Sequence, residues 1–215
     1  MPLEAIFLDF DGVVLESLDI KTGAFRKLFA AYPKQVDAIV KYHMENSGVS
    51  RYEKFAYFYE KLLGQKMPAG EMEKLDAKFG DLVWKEILRC DFVPGCLDFL
   101  EKYSRRVPLF VVSATPEKEL HKIVEARGLR QYFKGIYGSP KSKVENIKFA
   151  LAKSGYSASQ AVFIGDGTAD FEAAREVGIP FIARSLLATR EFWAKKGVQT
   201  IPDLRGLPAA IGLPA

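Results

Sequence analysis

Apolar residues along this chain follow two rhythms. Five short runs, opening at Ala5, Val107, Gly135, Ala161 and Pro180, are apolar at successive positions and do not alternate. Strands of that kind are covered on both faces. Between the later runs the spacing becomes helical. Thr115-Pro116 offers an N-cap and a first-turn proline to a helix that stops near Gly128. Ser142 caps a helix with Ile147, Ala150 and Leu151 on one face, and Phe171, Ala174 and Val177 mark a third that ends at Gly178-Ile179-Pro180. Strands and helices alternating through short connections predict an α/β fold, a doubly wound parallel sheet.

Residues 17–89 break that alternation. They are helical in pattern, offer no comparable strand, and are rich in aromatics such as Phe25, Phe29, Tyr42, Phe55 and Phe58. This predicts an inserted helical cap over 17–89, with 1–16 and 90–215 forming the sheet domain and hinges near 13–18 and 89–94. The aromatics are read as the insert's own core. An insert placed directly after the first strand would sit over the end of that strand. Pro202, Pro208 and Pro214 predict a short closing helix and a frayed tail.

Composition narrows the class. A chain of 215 residues, 48% apolar and 27% charged, is long enough for one α/β core with a smaller accessory unit. The net charge of +4 suits a phosphorylated small molecule, and no basic run is long enough for a nucleic-acid tract. Cys90 and Cys96 form no CxxC, so a thiolate metal site or disulfide scaffold is not expected and a reducing compartment is. Met1-Pro2-Leu3-Glu4 lacks a leader's basic region, and no segment approaches the ~18 apolar residues of a membrane span. A cytoplasmic protein, monomeric or weakly self-associating, with no membrane partner is the expectation.

The chemistry gathers where candidate strands end. The first run finishes in Asp9 and Asp11, one residue apart, followed by Gly12. Two neighbouring carboxylates repel and lose hydration, a difficulty that a divalent cation removes; oxygen ligands suit Mg²⁺. Further polar clusters stand at Ser113/Thr115, Lys141/Lys143 and Asp166/Asp170. Singly they read as turn, cap or surface residues. Together, at one sheet edge, they offer carboxylates, a hydroxyl, a lysine and glycines that permit close backbone approach.

The order Asp9-x-Asp11-Gly12, Ser113, Lys143, Gly165-Asp166-x-x-x-Asp170 resembles the four motifs of the haloacid dehalogenase superfamily, and the insert resembles its helical cap of the first type. The resemblance implies Asp9 as a nucleophile that becomes an aspartyl-phosphate. It implies Asp11 as the acid that protonates the leaving oxygen and then the base that activates water. Mg²⁺ would be held by the carboxylates of Asp9 and Asp166 and the backbone carbonyl of Asp11. Ser113, with backbone amides near Gly12 and Ala114, would hold phosphoryl oxygens. Lys143 would neutralise charge between phosphoryl group and nucleophile, and Asp170 would orient Lys143 or a metal-bound water. Lys141 lies in the same loop; Lys143 is preferred because Lys143-Val144-Glu145-Asn146-Ile147 resembles the start of the helix that follows the family's lysine.

Within the superfamily, Asp11 separates the chemistries. Dehalogenases and phosphonate-cleaving members lack an aspartate there, and an ester oxygen, unlike a halide, needs a proton donor. The expected reaction is Mg²⁺-dependent hydrolysis of a small phosphate monoester. The alternatives are a phosphosugar mutase and a non-catalytic phospho-ligand sensor, for which the nucleophile would be superfluous. Gly48-Val49-Ser50-Arg51 resembles the cap loop of β-phosphoglucomutases, which makes Arg51 either a substrate-phosphate ligand or an exposed arginine on a helix capped by Ser50. Lys21 stands where those mutases carry a hinge histidine, which favours a phosphatase. His121 is read as structural or exposed. His43 and Lys54, in the insert near Arg51, are read as surface residues before substrate contacts.

Overall fold

The computed structural model describes residues 3–46 and 48–214; Met1 and Pro2, part of the reading of the chain's start, lie outside it. Six parallel strands form one sheet: β1 (Ala5–Leu8), β2 (Leu109–Pro116), β3 (Gly135–Ser139), β4 (Ala161–Gly165), β5 (Phe181–Arg184) and β6 (Gln199–Ile201). Their order is β3-β2-β1-β4-β5-β6. The side-chain period of two sends alternate residues of one strand into different layers. Ile6 and Leu8 of β1, Leu109 and Val111 of β2, and Val162 and Ile164 of β4 enter one core with Phe99 and Leu100 of α5 (Cys96–Tyr103) and Leu120 and Ile123 of α6 (Glu117–Ala126). Ala5, Phe7, Phe110, Val112 and Phe163 enter the other with α7 (Lys143–Ser154) and α8 (Thr168–Val177). Both faces are covered, which is why the strand sequences are apolar without alternation. Phe7 and Phe110 stack across neighbouring strands with ring centroids 4.9 Å apart; each such buried ring contributes roughly 1.5–3 kcal/mol.

The helical insert between β1 and β2 comprises α1 (Leu18–Leu28), α2 (Val36–Glu45), α3 (Arg51–Tyr57) running on into a π-helical turn (Phe58–Leu62), and α4 (Glu71–Ile87). Phe25, Phe29, Ile39, Phe55, Phe58, Leu75 and Phe79 form a third, separate core. Phe25 touches the rings of Phe55, Phe58 and Phe79 at centroid distances of 5.9, 5.6 and 4.7 Å. Trp84, near the end of α4, packs instead against the sheet domain's core.

Several boundaries follow from local chemistry. Ser142 caps α7 in a reciprocal box with Glu145. Gly178 ends α8 in the left-handed region at φ 78°. The start of α6 differs from expectation: Pro116, not Thr115, is its N-cap, and Thr115 belongs to an irregular stretch of β2 that pairs with β3 after a register shift. Bulged strands near sites re-aim their side chains, and here the Thr115 hydroxyl faces Asp11. The sixth strand, α9 (Arg190–Lys195) and α10 (Leu207–Ala210) complete the chain. No helix of the described residues is long and apolar enough to cross a membrane.

Candidate active site

Strand order assembles the site. β1 lies between β2 and β4, so residues beyond their three carboxyl ends become neighbours although they are far apart in sequence. Asp9 directly follows β1, its amide still donating to the Ile164 carbonyl of β4 at 2.9 Å. Its Oδ1 accepts from the Phe10 amide at 2.7 Å, and its Oδ2 lies 2.9 Å from the Lys143 ammonium. Lys143, the first residue of α7, also pairs with Asp170 in the first turn of α8. Asp170 is fully buried and accepts from the Gly167 amide at 3.0 Å. It tucks under the end of β4 because residue 165 is glycine: a Cβ there would lie 2.3 Å from the Cβ of Asp170. Lys141 is exposed, its ammonium 5.1 Å from the centre of the Phe149 ring, and Lys143 is the lysine at Asp9.

Asp11 has a different set of partners. Its Oδ1 accepts from Ser17 at 2.6 Å; its Oδ2 accepts from Thr115 at 2.9 Å and from the ammonium of Lys21. Lys21 also donates to Thr115 at 2.8 Å, which closes a triangle between α1, β2 and the carboxylate. Ser113 accepts from the Thr115 amide at 3.1 Å and approaches Asp11 at 3.5 Å. Ala114 lines the cavity beside Thr115. Gly12 holds φ 75°, and a Cβ on it would come within 2.8 Å of Asp166 Oδ2. Its amide is already given to the Leu15 carbonyl at 2.8 Å, so its contribution is clearance beside Asp166. Arg184, buried at the end of β5, braces this loop from behind, donating to the Gly12 carbonyl at 3.2 Å and to Glu16 at 2.5 and 3.0 Å.

The two first-strand carboxyls are driven in opposite directions. Burial, then the charge of Asp170, pushes Asp9 up to about 7 against the pull of Lys143. Burial acts the same way on Asp11, but the Lys21 charge and three hydrogen bonds outweigh it and hold that carboxyl below its usual range. Asp166 is raised, first by burial and next by Asp9 and Asp170. Lys143, despite its burial, is held protonated by Asp170 and Asp9.

Asp9, Asp166 and Asp170 each place a carboxylate oxygen within 4.8 Å of the others, and Asp166 Oδ1 is buried with no hydrogen-bond partner among the described residues. An orphaned oxygen within such a cluster fits a hard divalent cation. A thermal-shift prediction follows. Asp9 keeps its proton in the folded, metal-free protein up to about 7, well above the ordinary aspartate value. The stability this gives is fully present below the unfolded value and is lost as pH rises through about 7. A cation pairs only with the ionised forms. Added Mg²⁺ should therefore raise Tm more at pH 8 than at pH 5.5, relative to chelator; equal shifts at both pH values would remove the cluster as the metal site.

The insert closes over this edge. A Cβ on Gly48 would lie 3.0 Å from Ala169 and 3.5 Å from the Lys143 ammonium, so this loop of the insert rests directly on the first turns of α7 and α8. Arg51 lines the same cavity, but its guanidinium is paired with Asp76 at 2.7 Å and, reaching from the insert to α6, with Glu119 at 2.5 and 3.2 Å. It is buried and lies over Phe79, 5.1 Å from the ring centre. In this arrangement Arg51 ties insert to sheet domain. His43 and Lys54 are not surface residues: they are 3% and 2% exposed and line the cavity. His121 is half-buried on α6 and takes no part.

Sequence reasoning did not assign Ser17, Lys21 or Thr115 to Asp11. One signal was available: Ser17 and Lys21 are four apart at the start of the first helix and so share a face.

A doubly wound parallel sheet with a buried aspartate, a lysine and a carboxylate cluster at its carboxyl edge, under a helical insert, defines a capped α/β enzyme. The chain belongs to the haloacid dehalogenase-like hydrolase family, whose model matches residues 6–184. A phosphoglycolate phosphatase of Synechococcus elongatus is 25% identical over 191 residues, 84% of this chain and 83% of that protein. A haloacid dehalogenase-like hydrolase from Bacteroides fragilis superposes with a TM-score of 0.75 at 18% identity, over 95% of this chain and 99% of that one. A β-phosphoglucomutase-class structure from Thermotoga maritima gives 0.69 at 19% identity, over 98% and 99%. These two structural likenesses establish the fold.

Proposed function

We propose that this hydrolase is a Mg²⁺-dependent phosphatase that cleaves a small phosphate monoester through an aspartyl-phosphate on Asp9. The observation that carries this reading is the division of partners between two carboxylates at one strand end. Asp9 meets Lys143 and the metal-type cluster; Asp11 meets proton donors only. Mg²⁺, held by Asp9 and Asp166, would supply positive charge to the carboxylates and to the phosphoryl oxygens.

An Asp9 carboxylate oxygen attacks phosphorus, the ester P–O bond breaks, and Asp11 gives its proton to the departing oxygen. A water then attacks phosphorus, its proton goes to Asp11, and phosphate leaves with Asp9 restored. Lys143 and the Ser113 hydroxyl face the oxygens on which negative charge accumulates. Lys21 keeps Asp11 ionised in the free enzyme, the form needed for the second step. An arriving phosphate competes for Lys21 and adds negative charge beside Asp11, both of which promote the proton uptake needed for the first step. An ionised base clamped in place also shortens the life of an acyl phosphate. This favours a hydrolase over a mutase, whose phosphoenzyme must outlast an exchange of substrate.

The S. elongatus relative directs the choice of substrates. Phosphate release is measured from 2-phosphoglycolate, phosphoglycerates, sugar phosphates and nucleotides, with Mg²⁺ and with chelator. Metal-dependent release from at least one ester is expected. Conversion of a sugar 1-phosphate to its 6-phosphate without net hydrolysis would establish the mutase instead, and no turnover of any kind would favour a sensor.

A further inference from the structure

Behind the site lies a buried ion pair that no step of ester cleavage uses. Arg184 is the last residue of β5 and is 4% exposed. Its guanidinium meets three chain segments at once. It donates to the Pro202 carbonyl just past β6 at 3.1 Å, to the Gly12 carbonyl at 3.2 Å, and to the two carboxylate oxygens of Glu16 at 2.5 and 3.0 Å. An apolar side chain of similar volume often stabilises a core as well as a buried ion pair does, so what this fork adds is direction.

The turn that Arg184 holds also carries the insert. The Glu16 amide donates to the Asp91 carbonyl at 2.9 Å and the Val93 amide to the Val14 carbonyl at 3.1 Å, so the outgoing and returning connections are joined at this point. The Leu204 amide, just past Pro202, donates to the Pro94 carbonyl at 3.0 Å and ties the return to the same wall. Val13, Val14 and Leu15 are buried in the sheet's core, but apolar contacts are non-directional. The residue after Glu16 is Ser17, whose hydroxyl donates to Asp11 Oδ1 at 2.6 Å. A shift of the turn would therefore reach the Asp11 carboxylate through Ser17, and misplacing a reacting group by about 1 Å costs on the order of 10²-fold in rate. We propose that Arg184, gripping Glu16 and Gly12, is a positioning residue that fixes the aim of Asp11 at the leaving oxygen. This rests on the phosphatase reading above.

Leaving-group chemistry isolates that role. An alkyl ester needs the Asp11 proton as its P–O bond breaks; 4-nitrophenyl phosphate does not, because its phenolate departs unprotonated. The test compares kcat/KM, which covers the steps up to phosphoryl transfer, for 4-nitrophenyl phosphate and for the best alkyl ester of the substrate panel. Arg184→Met should lower the alkyl value by roughly 10–100-fold, part of the ~10²–10⁴-fold that general acid catalysis supplies, and the aryl value by no more than about threefold. Glu16→Gln, which keeps the volume and loses the ionic fork, should show the same one-sided loss to a smaller extent. A merely structural role would lower both esters in equal proportion. Equal losses on the two esters, a larger loss on the aryl ester, or no loss on either in a folded variant would overturn the assignment of Arg184 and leave the phosphatase reading standing. Should Arg184→Met not fold, Glu16→Gln decides alone. Failure of the wild-type enzyme to release phosphate from either ester would overturn the phosphatase reading, and this assignment with it.

Discussion

Asp9→Asn yields a folded protein that releases no measurable phosphate, with kcat down on the order of 10⁴-fold or more. The substitution changes almost nothing else. Asparagine matches aspartate in volume and keeps an oxygen to accept from the Phe10 amide, and Lys143 retains Asp170 as a charged partner. Only the nucleophilic oxygen and one negative charge are removed. The same logic fixes the sign of the stability change. Burial and Asp170 oppose ionisation of Asp9, raising it to about 7, so above that pH the metal-free wild type holds a carboxylate that its surroundings disfavour. With chelator at pH 8, Asp9→Asn should melt at or above the wild-type temperature. Activity within tenfold of wild type would exclude Asp9 as the nucleophile.

Lys143→Met carries the second large effect, and it strikes both stability and rate. Lys143 is buried between Asp9 and Asp170, and its removal leaves two buried carboxylates without their cation. Breaking a buried pair from one side costs about 3–5 kcal/mol, far more than a surface pair. Turnover should fall by about 10²–10³-fold as a charge aimed at the transferring group is lost. Adding Asp170→Asn separates the two roles. The double variant should recover a substantial part of the lost stability, since one stranded charge is gone, and none of the lost rate. A double variant that regained activity with stability would reduce Lys143 to a scaffold element.

Much of the sheet domain was legible because its signals are local. A fully apolar strand with two covered faces is written in consecutive residues, and Ser142 with Glu145 spells its helix start within four positions. The β6 strand was not legible. It is three residues long with an exposed Gln199 at the sheet edge, too short and too polar to stand out. Thr115 was misplaced because its hydroxyl satisfies an Asp11 carboxylate 104 residues away in preference to a helix end. Arg51 presented the same difficulty. Its partner Glu119 is 68 residues distant, and only the closed packing of insert on sheet domain reveals the pairing. His43 and Lys54 looked like surface residues because polar and charged side chains are usually exposed, a rule that fails for these two, which are buried against each other where the insert lines the cavity.

Chemical trapping tests the central claim most directly. The Asp11→Asn variant is quenched during turnover of 4-nitrophenyl phosphate, whose leaving oxygen departs without a proton so that only release of the phosphoryl group from Asp9 is slowed, and reduced with borohydride. Reduction converts an aspartyl-phosphate to homoserine, and peptide mass spectrometry locates it. The account predicts homoserine at position 9. Reduction at another aspartate, or none at position 9 while phosphate is still being released, would contradict it.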